Sequence, residues 1–298
     1  MTPRRTETQH RDAPGLQARP PEAALARLYD GQRDAVAAVA PALPAIAEAA
    51  ERAAAVLARG GRLGYAGAGS SGLMALADAL ELPGTYGIPA DRLPVLFAGG
   101  AAALLTLTGA VEDDTASAAG DVAAALGPGD AVVCVSASGS TPYTVAVAEA
   151  ARARGAAVIG VANAEGAPLL ALADCPILLD TGPEVVAGST RMGAATAQKI
   201  ALNMFSTLTA LRLGHVHDGF MVNVVADNAK LRERAAGIVA AVAGCDGATA
   251  AAALAATEGA VKPAILVAAG AGPAEALRRV AESGGHLGPA LAALRANH

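Results

Sequence analysis

The sequence predicts an α/β fold: a parallel sheet covered by helices on both faces, followed by a small C-terminal helical cap. Three observations carry this. Short runs that are apolar throughout recur between helical stretches. Two of those runs pass directly into glycine- and serine-rich turns, and residues 248–298 are rich in Ala and Leu with no strand pattern.

Taken in order, residues 1–22 are polar and carry four prolines, which predicts an arm with no core of its own. From Pro21 to Arg59 Ala, Leu, Glu and Arg dominate, a helical composition that Pro41 and Pro44 break into two helices and Gly60-Gly61 ends. Arg62–Ala66 is the first strand, followed by the turn Gly67–Gly72 and a helix through Leu80. Leu93–Ala98 is the second strand. Ala131–Val135 is the third, with the turn Ser136–Thr141 and a helix over Pro142–Arg154. Ala156–Val161 and Pro176–Leu179 complete the sheet. Helices are expected over Thr190–Leu213 and Phe220–Ala243, then through the cap, with breaks at Gly270–Pro273 and Gly284-Gly285. The expected domains are an arm (1–22), an α/β domain with N-terminal helices (23–245) and a helical domain (246–298).

Composition narrows the function. The net charge is −5, with no basic run beyond the first residues, which argues against a nucleic-acid-binding surface. Aromatics are 2% and Trp is absent, so bases or sugars have no stacking platform and the core must be aliphatic. Cys134, Cys175 and Cys245 are odd in number and widely spaced, which fits a reducing compartment without disulfides. His215 and His217 alone approach a metal-ligand spacing; with no acid or cysteine cluster beside them they read as a solvated turn, and no metal is expected. The uncharged stretch Leu93–Val111 carries Pro94, Gly99, Gly100 and Gly109, and reads as strand, turn and helix rather than as a bilayer span. No apolar segment follows the polar N-terminus, so no signal peptide is expected and the predicted location is the cytoplasm.

The two turns are the chemical signal. Gly67-Ala68-Gly69-Ser70-Ser71-Gly72 fits the dinucleotide pattern G-x-G-x-x-G, but the acidic residue such a site wants at the next strand end is missing: Leu82–Gly87 is a turn, with Glu81 before it and Asp91 after. What the pattern omits is the hydroxyls. Ser70 and Ser71 in the first loop, and Ser136, Ser138, Ser140 and Thr141 in the second, stand where helices open. Free N–H groups, the positive end of a helix dipole and hydroxyl donors together bind a phosphate without Lys or Arg. Ser and Thr are also preferred helix caps, and that second reading stays open here.

The strand–GAGSSG–helix segment, VVCVSASGSTPY and AAVIGVANAEGAPLLALADCPILL resemble the sugar isomerase (SIS) domain, a three-layer αβα sandwich that binds phosphosugars. More narrowly, the chain resembles the N-acetylmuramic acid 6-phosphate etherase family. The likeness rests on TET at Thr6–Thr8, DALELPGTYG at Asp78–Gly87, AGG at Ala98–Gly100, VEDD at Val111–Asp114, GPEVVAGSTRM at Gly182–Met192, TAQK at Thr196–Lys199, LNMFST at Leu202–Thr207, MVNVVADNAKLRERA at Met221–Ala235 and VKPAIL at Val261–Leu266, in order from Thr6 to the end.

That resemblance implies a carbon–oxygen lyase that cleaves the D-lactyl ether of N-acetylmuramic acid 6-phosphate to N-acetylglucosamine 6-phosphate and D-lactate, in amino sugar recycling from the cell wall. It implies no cofactor, and a homodimer with the site at the subunit contact. The acidic residues carried over are Glu81, as proton donor to the lactyl oxygen, and Glu112, as the second acid/base group. By position alone each reads as a solvated carboxylate. The phosphosugar would lie on Gly69, Ser70, Ser71, Ser136, Ser138, Ser140 and Thr141, with Glu184, Ser189 and Thr190 completing the sugar site or capping the helix after them. Lys199 on that helix faces the phosphate or solvent.

Three departures each remove a cation. Leu73 and Ser140 stand where the family carries Arg, and Gly193 where it carries Lys. Each lost charge-assisted contact is worth ~1.5–3 kcal/mol, which predicts weaker anion binding unless other groups compensate. Two alternatives remain: a phosphosugar isomerase, which needs one base and no leaving-group acid, and a sugar-phosphate-sensing regulator without turnover.

Overall fold

In the computed structural model, which describes residues 5–296, five parallel strands form one sheet in the order β2-β1-β3-β4-β5. Two helices lead into it. α1 (Pro21–Ala37) and α2 (Leu43–Ala58) are separated by a 3-10 turn over Ala40–Ala42, where the two prolines were expected to break the run. The sheet elements follow as β1 (Leu63–Gly67), α3 (Gly69–Tyr86), β2 (Val95–Phe97), α4 (Gly100–Ala103), α5 (Thr115–Ala125), β3 (Ala131–Ser136), α6 (Pro142–Ala153), β4 (Ala157–Ala162), α7 (Pro168–Leu172) and β5 (Cys175–Leu178). Then come α8 (Gly193–Arg212), the short antiparallel pair β6 (Val216–His217) and β7 (Phe220–Met221), and the helices α9 (Ala229–Ala243), α10 (Gly247–Ala256), α11 (Val261–Ala268), α12 (Pro273–Glu282) and α13 (Leu287–Arg295).

Strands β1 and β3 are buried on both faces, as their unbroken apolar runs require. Ala66, Val132, Cys134 and Val158 share one core with Val122 of α5 and Tyr143 and Val147 of α6, while α2 packs against β1 and β5. Burial drives the Cys134 thiol up to about 12, leaving it inert.

Two compact units divide the chain: residues up to Leu80 with Asp91–Ser206, and Glu81–Ala90 with Thr207 onward. Within the first, Asp78 is 5% exposed and accepts from Tyr65 Oη at 3.0 Å and from Asn203 Nδ2 and Ser206 Oγ, each at 2.9 Å, so its buried charge is met by hydrogen bonds.

The second unit has its own core, in which Val222, Ile238 and Val239 pack with Ile265, Leu266 and Leu287. The domain boundary expected at residue 245 therefore falls inside it. Residues 220–228 differ from the expected helix. Phe220-Met221 pairs as β7, Asn223 Nδ2 donates to the Tyr86 carbonyl at 2.9 Å, and α9 begins only after Asn228, whose Oδ1 accepts the Leu231 N–H at 3.0 Å. α3 also runs on to Tyr86 through Pro83, where a turn was expected. A proline in the last turn forfeits one helical hydrogen bond, while Leu82 is buried and the Tyr86 hydroxyl pairs with Thr207 Oγ1 at 2.9 Å. His215 is not in a solvated turn. Its ring bonds to the Tyr86 backbone, its Nδ1 is buried without a partner, and burial together with the Lys262 charge lowers its pKa to about 4. Lys262, itself buried, donates to the Gly285 carbonyl at 2.8 Å, and burial lowers its pKa to about 8. Among the described residues no single helix is long and apolar enough to cross a membrane.

Candidate functional site

Strand β1 lies between β2 and β3, so the chain leaves β1 toward one neighbour and returns beside it on the other. At such a switch point the loops after the strands part and leave a crevice at the carboxyl ends. A cavity of about 570 Å³ opens there in the first unit, walled by the loops after β1 and β3, by the segment after α4, by Thr190 and by Glu7.

The first loop is shaped by three glycines. A Cβ on Gly67 would stand 2.8 Å from Gly72 Cα, and one on Gly72 would stand 2.7 Å from Phe97 Cε2, so strand and helix approach to a distance that only glycine permits. Gly69, at φ +52°, opens α3, and a Cβ there would lie 2.7 Å from Glu112 Oε1. The Glu112 carboxylate therefore rests against the first turn of α3. Burial raises its pKa, and the neighbouring Asp113 charge adds to the rise.

The second loop is held by hydroxyls. Ser136 Oγ accepts the Gly139 N–H at 3.1 Å and shares a hydrogen with Thr141 Oγ1 at 2.8 Å. Ser138 Oγ receives both the N–H and the hydroxyl of Ser140, each at 3.2 Å. Ser71 joins the loops, its Oγ accepting the Ala137 N–H at 3.2 Å.

Of the residues expected from sequence, Gly69, Ser70, Ser71 and Glu112 stand on the cavity wall, as do Ser138, Ser140, Thr141 and Thr190. Four do not. Ser136 is 1% exposed and committed to its loop. Glu184 is buried and caps α8, accepting the N–H groups of Gly193 at 2.9 Å and Ala194 at 2.8 Å; this is the capping alternative, not sugar binding. Ser189 lies off the wall, and its N–H donates to the Val186 carbonyl at 2.9 Å. Glu81 is exposed on the last turns of α3, in the second unit. Lys199 is likewise exposed.

Sequence reasoning missed Glu7 and Asp113 as wall residues. Their only signals were the TET and VEDD motifs, which show no fixed distance to the loops. No Lys or Arg lines the cavity among the described residues; of the three positions where the family carries a cation, Ser140 stands on the wall and Leu73 and Gly193 do not. At Gly193 a side chain would meet Glu184 Oε2 at 3.0 Å, so the Lys of the family pattern would press on the cap of α8. Among the described residues no group of three or more His, Cys, Asp or Glu side chains could hold a metal ion.

The cavity thus joins two neutral, donor-rich loops to a carboxyl group whose pKa is raised by burial and by Asp113. A family model described as SIS domain matches residues 32–163. A protein named N-acetylmuramic acid 6-phosphate etherase from Deinococcus radiodurans is 46% identical over 286 residues, covering 95% of this chain and 94% of that one. One of the same name from Streptomyces avermitilis is 47% identical over 277 residues, covering 92% and 89%. Among solved structures, a phosphoheptose isomerase from Francisella tularensis is 22% identical with a TM-score of 0.49, covering 65% of this chain and 98% of that one.

Proposed function

The chain belongs to the N-acetylmuramic acid 6-phosphate etherase family, and from that premise we propose that it cleaves the D-lactyl ether of N-acetylmuramic acid 6-phosphate, releasing D-lactate and N-acetylglucosamine 6-phosphate. The observation that carries the reading is Glu112. Its carboxyl group lies against Gly69 inside a cavity walled by two hydroxyl-rich loops, and its pKa is raised toward the range in which a carboxylate can accept a proton and return it.

The phosphate lies between the loops, held by N–H groups at the start of α3 and by the hydroxyls of Ser70, Ser138, Ser140 and Thr141. Ser136 and Glu184 act one step back, Ser136 fixing the loop that presents the wall and Glu184 capping α8, which follows Thr190. An alkoxide is a poor leaving group, so the ether breaks by elimination. In the open-chain sugar the C2 proton is acidified by the C1 aldehyde; Glu112 removes it while a Glu81 carboxyl group, brought to the cavity by a subunit contact, protonates the departing lactyl oxygen at C3. Water then adds at C3 of the unsaturated aldehyde, and the proton returns to C2.

The reading includes a cytoplasmic homodimer with this cavity at the subunit contact. Two observations support the contact: Glu81 is exposed and outside the lining, and the segment that carries Glu112 also presents Leu105, which is 92% exposed. A monomer by light scattering at working concentration would count against it.

The decisive experiment measures D-lactate released from N-acetylmuramic acid 6-phosphate by the unaltered protein, Glu81→Gln and Glu112→Gln. Release that falls about 10²- to 10⁴-fold in each variant supports the assignment. No release by the unaltered protein, with thermal stabilisation by other sugar phosphates, would move the chemistry to a different phosphosugar reaction.

A further inference from the structure

Glu7 has no task in the reaction as described, yet it reaches the cavity from the polar N-terminal segment. Its position is fixed by its neighbours. Thr6 is 1% exposed, and its carbonyl accepts the Gly188 N–H at 3.0 Å. Gly188 has φ +74°, and a Cβ there would lie 2.8 Å from Glu7 Oε2. The segment is therefore pinned to the loop before α8, and the Glu7 carboxylate stands over Gly188 on the same wall as Thr190. Among the described residues no hydrogen bond or ion pair uses that carboxylate, and no Lys or Arg lines the cavity to attract it.

We infer that Glu7 is a substrate-binding residue, whose carboxylate accepts hydrogen bonds from the neutral donors of the sugar, its hydroxyl and amide N–H groups, and so sets the sugar against Glu112. The inference rests on the phosphosugar reading of the cavity. An ionised carboxylate only accepts, so it repels a phosphate and pairs with hydroxyl or amide donors. The donor-rich loops at Gly69–Ser71 and Ser138–Thr141 offer the opposite chemistry. N-acetylglucosamine 6-phosphate, with an anion at one end and neutral donors at the other, therefore has one orientation in this cavity. A metal ion is the other partner of a carboxylate, and no ligand group for one exists among the described residues.

The test is calorimetric titration of the unaltered protein, Glu7→Gln and Glu7→Ala with N-acetylglucosamine 6-phosphate and, separately, with inorganic phosphate, alongside KM and kcat for lactate release. Glu7→Ala should weaken sugar phosphate binding and raise KM about 10- to 100-fold, leaving inorganic phosphate binding within about two-fold. Glu7→Gln has the same shape and keeps one acceptor oxygen, so it should show a smaller loss of the same kind; it carries the test if Glu7→Ala does not fold. Variants that bind the sugar phosphate as the unaltered protein does, with KM unchanged and only the melting temperature lowered, would overturn the inference and reduce Glu7 to a clamp. Binding that requires an added divalent cation would overturn it as well. An unaltered protein that binds neither ligand would remove the phosphosugar reading, and this inference with it, which is a different result from intact binding that ignores Glu7.

Discussion

The loop after β1 is shaped by side chains that glycine lacks, the loop after β3 by hydroxyls that bond to one another, and each contains one left-handed glycine. Those glycines face opposite ways. A side chain at Gly69 (φ +52°) would point into the cavity at Glu112, whereas one at Gly139 (φ +61°) would strike the Cβ atoms of Ala167 at 2.4 Å and Ala162 at 2.9 Å in the packed interior. Two loops of similar composition at one sheet edge therefore answer to different demands, one to chemistry and the other to packing.

Substitution at the two glycines is the strongest way to break this contrast. Gly69→Ala should cut lactate release about 10²-fold, because the methyl group displaces the Glu112 carboxylate, while the backbone strain costs only about 1 kcal/mol of stability. Gly139→Ala should do the reverse, losing about 2–4 kcal/mol in a denaturant melt with activity per folded molecule retained. Equal stability losses at both positions would erase the distinction. Ser136→Ala sharpens it further. The Gly139 N–H and Thr141 hydroxyl lose their shared partner, and a loss of about 1–2 kcal/mol is expected by thermal unfolding. The smallest effect is a shift in pH. Asp113 adds to the raised pKa of Glu112, so Asp113→Asn should lower it, and the rise of kcat/KM with pH, which follows ionisation of Glu112 as base, should move to lower pH. A profile that stays in place, or moves upward, would separate Asp113 from the proton transfer.

The same contrast explains what the sequence could disclose. All five strands of the parallel sheet were legible to within about two residues; β1 and β3, buried on both faces, leave unbroken apolar runs. So were the two loops, since glycine and serine between a strand and a helix have few other uses. The distribution of tasks among the hydroxyls was not legible. Ser136 and Ser138 sit two residues apart, yet one is sealed beneath the loop and the other faces the cavity, a difference set by the path of the backbone. Glu184 reads equally well as ligand or cap until its distance to Gly193 is known. Thr6 and Glu7 lie in a segment whose polarity suggests a free arm, and the burial of one threonine among polar neighbours leaves no periodic trace. In the second unit, polar residues such as Asn223, Asp227 and Asn228 hold 220–228 out of the helix that composition suggests.

Among the described residues the cavity wall carries no cation, which also bears on how fast a ligand arrives. Dipoles and hydroxyls act over a few ångströms, whereas the net charge of −5 and the carboxylates of Glu7, Glu112 and Asp113 act over a Debye length of ~8 Å at physiological salt. An incoming sugar phosphate is thus repelled until it is nearly seated. Its association rate should climb as ionic strength rises, opposite to the decline seen when an arginine-lined site draws its ligand in. Capture in this protein is short-ranged, so it selects among anions at contact by the fit of N–H and O–H groups.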